Sequence, residues 1–179
     1  MKKYIPIILY PYVFLIGMLT LMGLLKVLDE ETLNAMAGGL GIGLILIALI
    51  SLYTFICAIL CIVYVVQLLG KKHSALEVAK INRTIKCVQI PAYLINFVVG
   101  FIGATTVFGL GFALIAVIVD FIAICMTGLF GAVAAIKLHK QGGIGGGGAV
   151  VCALGSFIYC IDVLIALILP AKCKKVENI

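Results

Sequence analysis

Apolar residues dominate this chain in five long runs, at 5–25, 35–69, 88–108, 112–136 and 149–169, and polar residues collect between them. A helix that crosses a bilayer needs about 20 apolar residues. The pattern therefore predicts an all-α fold: a polytopic membrane protein, built as a bundle of five transmembrane helices in one integral membrane domain over 1–179. Lys2 and Lys3 precede the first run, and Lys26, Asp29, Glu30 and Glu31 follow it. The second run is long enough to tilt or to begin outside the hydrocarbon. Gly109-Leu110-Gly111 separates the third run from the fourth, and Pro170 stops the fifth.

The first run has some marks of a secretory signal, with a basic start and Ala35-Met36-Ala37 after it. Its apolar stretch is too long for that role, and Asp29-Glu30-Glu31 is an awkward prelude to cleavage. A retained anchor is expected.

Lys and Arg near the spans set orientation. Lys71, Lys72, Lys80, Arg83 and Lys86 lie in a loop at 71–86, and Lys137 and Lys140 lie in a loop at 137–148. Both loops are expected inside, with the N-terminus cytoplasmic in the plasma membrane. Five spans then place the C-terminus outside, although Lys172, Lys174 and Lys175 run against the rule there. In the loop 71–86, Val78, Ile81 and Ile85 recur at helical spacing, with Lys80 and Arg83 off that stripe. It reads as a short interfacial helix or as an extension of its neighbours. Residues 142–148, GGIGGGG, read as a hinge by composition. They lack the Gly-Lys-Ser/Thr ending of a phosphate loop.

A shift of 66 residues lays the second and third runs over the fourth and fifth without a gap. Lys71 and His73 meet Lys137 and His139, and Tyr93 meets Tyr159. The register suggests a tandem duplication of a two-helix hairpin, with the first run added outside it. Parallel repeats of this kind occur among transporters.

Composition adds the class. Hydrophobic residues make up 65% of the chain and charged residues 11%, against about 45–50% and 25% in soluble domains. The net charge of +6 sits at span ends, where it suits anionic lipid headgroups at the inner face rather than nucleic acid. The seven cysteines form no C-x-x-C and no zinc spacing. They read as packing residues, and no cofactor or metal is expected.

Asp120 and Asp162 are the only charged residues inside the five runs. A carboxylate at bilayer depth costs roughly 2.5–3.5 kcal/mol by insertion scales. The repeat register lays Thr54 on Asp120 and Asn96 on Asp162. Counted from the outer span ends at about 1.5 Å per residue, both acids lie roughly 12 Å deep, which suggests one shared level. With Tyr159 one turn from Asp162, these five residues are the candidate ligand or cation site. The competing role is interhelical hydrogen bonding. Gly39, Gly43, Gly128 and Gly131 are candidate helix-packing positions, and Tyr4, Tyr10 and Tyr12 suit an interfacial belt.

No nucleophile, base and acid set appears, so enzymatic chemistry is not expected. Two functions fit. One is transport or binding of a small solute, cation or proton through a polar intramembrane cavity. The other is a non-catalytic accessory, immunity or assembly subunit that contacts a larger membrane partner or a second copy through its helices.

Overall fold

The structure, a computed structural model, describes residues 2–27, 37–70, 72–105 and 109–177. These form six helices, α1 (Ile5–Val27), α2 (Ala37–Leu69), α3 (Ala75–Ala104), α4 (Gly109–Lys140), α5 (Gly146–Gly155) and α6 (Ile161–Glu177), after a 3-10 turn at Lys2–Tyr4. The all-α membrane bundle expected from the pattern is present. Among the described residues, four segments are long and apolar enough to cross a bilayer: Lys2–Leu21, Leu44–Leu69, Ala75–Ala104 and Ala113–Lys140.

α4 is the central post, and it packs on all five other helices. Its buried positions Ala116, Val119, Ala123, Met126, Phe130, Val133 and Ala134 recur every three or four residues, so one stripe faces the core. The alanines in that stripe let neighbouring backbones come close. α1 is part of the core rather than an appendage, burying Tyr4, Ile7, Tyr10, Phe14 and Met18. The expected belt roles of Tyr4 and Tyr10 are therefore corrected. Their rings pack on Tyr64, Phe130 and Tyr53 inside the bundle.

Residues 75–86 are an extension of the helix that follows, the second of the two readings, and not a separate interfacial helix. Ser74 caps α3, its Oγ accepting the Glu77 amide at 3.2 Å, and the helix runs unbroken from Ala75 to Ala104, well into the third apolar run. Val78, Ile81 and Ile85 are buried and Lys80 and Arg83 exposed, as the stripe predicts. The second inner loop shrinks too. α4 continues to Lys140, and Gly146–Gly148 form the first turn of α5 rather than a hinge. The connection is a turn, with Gly142 at φ +75, where a side chain would be strained.

The fifth run departs most from expectation. It is two helices, separated at 156–160, not one continuous span. Ser156 ends α5, its Oγ bonding the Cys152 carbonyl at 2.7 Å, and Cys160 takes φ +66 in the left-handed region. The chain then reverses. A Cβ built on Gly155 would meet Ile161 and Ile165 of α6, and one built on Gly143 would come within 2.7 Å of Val176. α5 and α6 thus form a helical hairpin that dips into the bundle and returns to its starting end. The N-terminal turn lies at that same end, where Lys3 Nζ sits 5.9 Å from the Tyr64 ring centre near the end of α2. Lys3 and Val176 therefore lie toward one end of the bundle, whereas five crossing helices would place them at opposite ends.

The bend also limits the repeat. α2 and α4 run in the same direction, and Lys137 Nζ donates to the Gly70 and His73 carbonyls at 2.7 and 2.6 Å. α3 stays helical, with Pro91 inside it, through the positions where its counterpart folds back.

Candidate functional site

The buried polar side chains of α3 lie on one face. Asn82, Lys86, Gln89, Tyr93 and Asn96 are all buried, at steps of four and three residues. That spacing keeps a single stripe turned toward neighbouring helices. It forms a polar column about 21 Å long, from about 1.5 Å of rise per residue.

At one end, Lys86 Nζ donates to Asp162 Oδ2 in an ion pair between α3 and α6. Lys86 is 0% and Asp162 2% exposed, so water reaches neither. Asp162 also sits in the first turn of α6, where its Oδ1 accepts the Val163 amide at 2.8 Å. A helix N-terminus favours a carboxylate. Asp162 has no basic companion inside the apolar runs, yet Lys86, two residues before the third run, reaches it from α3. In the sequence Lys86 follows the charged Lys80 and Arg83 and so reads as part of a loop.

In the middle, Gln89 Nε2 donates to the Ile7 carbonyl at 2.9 Å, and Gln89 Oε1 accepts the Tyr93 hydroxyl at 3.0 Å. The reason lies in α1. Pro11 has no N–H, so the carbonyl four residues earlier, that of Ile7, loses its helical donor. Gln89 supplies one from another helix, a repair that apolar surroundings require. Tyr12 makes a second link, its hydroxyl donating to the Val88 carbonyl.

At the far end, Asn96 Nδ2 donates to Asp120 Oδ1 at 2.8 Å. Asp120 is 8% exposed and lies mid-helix in α4, without the terminal amides that assist Asp162. The two acids do not share a level. Their α3 partners are ten residues apart, about 15 Å along the helix. The folding back of the fifth run brings Asp162 toward the chain-end side.

Two clefts nevertheless join their surroundings. One, of about 280 Å³, is lined by Tyr93 and Asp162, and another, of about 540 Å³, by Asn96 and Asp120. Phe97, Ile124 and Tyr159 line both. Tyr159 is at the hairpin tip, its ring edge-on to Tyr93 with centroids 6.1 Å apart. Thr54 falls elsewhere. It bonds the Ile50 carbonyl at 2.9 Å and lies within 3.5 Å of the Tyr10 hydroxyl, in a cleft among α1, α2 and α4.

Gly128 and Gly131 hold the hairpin tip. A Cβ on Gly128 would stand 2.6 Å from the Ser156 carbonyl oxygen, and one on Gly131 would stand 2.9 Å from the Ser156 Cβ. Gly39 and Gly43 lie on α2, but their surroundings fall outside the described residues. The signal that reasoning from sequence missed was present: Asn82, Lys86, Gln89, Tyr93 and Asn96 already had core-facing spacing. Read as loop plus span, the segment hid it.

Fold and column together define a polytopic α-helical membrane protein whose crossing helices enclose buried charge. The chain belongs to a family of unknown function (DUF6652), whose model matches residues 1–175. No curated protein and no solved structure matches it.

Proposed function

We propose that this protein binds and moves a proton or small cation at Asp120, with the α3 column as its scaffold. One contrast carries the reading. Asp162 is neutralised by Lys86, whereas the hydrogen bond given to Asp120 comes from Asn96, a neutral amide. A carboxylate at that depth, without a cationic partner among the described residues, is stabilised by taking up a proton or a cation. Isolated interhelical glue has less need of an acid, since Asn or Thr serves as well.

The basic groups support an orientation in the cell membrane. Lys72, Lys80, Lys140, Lys172, Lys174 and Lys175 are exposed, and the hairpin returns the last three to the end that carries the others. That end is the cytoplasmic one by the positive-inside rule. The lysines that conflicted with a five-span topology agree with this one.

The test uses purified protein in liposomes that enclose a pH-sensitive dye. A sodium gradient or a membrane potential is imposed, and internal pH and sodium are followed. The parent protein should move protons or sodium above protein-free vesicles, and Asp120→Asn should abolish the signal while remaining folded. Asp120→Asn behaving like the parent, or a parent no better than empty vesicles, would sink the reading.

A further inference from the structure

The cleft over Asp120 has a chemical character that narrows what it takes, on the reading that Asp120 is the working acid. Its walls are aromatic: Phe97, Phe101, Phe121, Phe157 and Tyr159. Phe97, Phe101 and Phe121 are more than half exposed, and they stand on the outer surfaces of α3 and α4. In a membrane-embedded bundle those surfaces meet lipid. The cleft therefore opens sideways to the bilayer rather than along the bundle axis. Gly100, Ala113 and Ala116 line it with small groups, which is why a space of about 540 Å³ exists between two closely packed helices. That volume is in the range of about 300–1,000 Å³ typical of sites for small organic molecules.

The charge at the bottom sets the sign of the ligand. Among the described residues, Asp120 is the only carboxylate lining the cleft, and the hydrogen bond from Asn96 goes to one of its two oxygens. A proton or a small inorganic ion uses the carboxylate alone and leaves the wall of phenylalanines without a role. An anion is repelled. A neutral apolar molecule would fill the cleft but leave the carboxylate unmatched, a costly arrangement in low dielectric. An organic cation satisfies both parts. Its charge meets Asp120, its body covers the rings, and aromatic faces themselves attract a weakly hydrated cation.

We propose that the cleft between α3 and α4 binds an apolar organic monocation, such as a tertiary or quaternary ammonium or a phosphonium, that enters laterally from the bilayer. The ligand rests on Asp120 through charge and on Tyr159 and Phe157 of the hairpin tip through cation–π contact. A bound ligand would thus touch α3, α4 and the tip at once.

Tetraphenylphosphonium is a suitable probe, with triphenylphosphine oxide as its uncharged counterpart. Equilibrium binding to the purified protein in detergent should be saturable for the phosphonium and absent for the oxide. Asp120→Asn should weaken phosphonium binding at least tenfold. Ala113→Leu narrows the cleft without removing the carboxylate, and should weaken phosphonium binding comparably. Equal binding of phosphonium and oxide, or full binding by folded Asp120→Asn, would overturn the inference. So would no phosphonium binding by a parent protein whose Asp120-dependent proton or sodium flux is intact, and in that case the proposed function would survive alone. Loss of both signals in the parent would remove both.

Discussion

Lys86 and Asp162 form an ion pair sealed between α3 and α6, 76 residues apart in the chain and inaccessible to water. It ties the returning arm of the hairpin to the first half of α3. Two such charges in an apolar interior stabilise mainly by satisfying each other.

Removing one partner should therefore be worse than removing both. Lys86→Met or Asp162→Asn alone is expected to cost about 3–5 kcal/mol, because the other group is left charged and buried. The double variant should recover most of that loss. A thermal-denaturation double-mutant cycle in detergent measures the coupling. Additive single effects would show that the pair does not act as a unit.

Gln89 and Pro11 are expected to be coupled in a comparable way, by a backbone group. Gln89→Leu strands the Ile7 carbonyl and the Tyr93 hydroxyl, at about 1–3 kcal/mol for each group left unpaired. Pro11→Ala restores an N–H to α1, and with it the helical partner of Ile7. The Gln89→Leu loss should shrink in the Pro11→Ala background. An unchanged loss would mean that Gln89 serves something other than this carbonyl.

The hairpin makes a topological prediction. Epitope tags at the N-terminus, inserted after Gln141 and placed after Ile179 should all be reached from the same side of the membrane. Tags after Gln141 and after Ile179 on opposite sides would mean that the fifth run crosses, and that the reversal at 156–160 does not occur in the bilayer.

Much of the architecture was legible from hydropathy. Four runs became helices, three at nearly the expected places and the third with its start moved back to Ala75, since a long apolar segment in lipid has no alternative that satisfies its backbone. The helical stripe of Val78, Ile81 and Ile85 was legible for a similar reason. Asp120 and Asn96 were both among the candidate site residues, but the repeat register laid Asn96 on Asp162 and Thr54 on Asp120, whereas Asn96 is in contact with Asp120. Charge misled where hydropathy was read too literally. Lys86 follows Lys80 and Arg83, so it resembled a flanking residue, yet its place on the helix turns it inward.

The fold of the fifth run was not legible at all. Residues 156–160, SFIYC, hold no proline or glycine to mark a reversal. What turns the chain is packing: the space above Gly128 and Gly131 that receives Ser156, and the Lys86 charge that draws Asp162. Sequence by itself determined the class of protein, the number of apolar segments and the identity of the buried acids, because these depend on composition and periodicity along one dimension. Tertiary structure alone decided which acid has a cation, which helix bends and at which end the chain finishes. Those outcomes depend on groups distant in sequence meeting where no water can take their place.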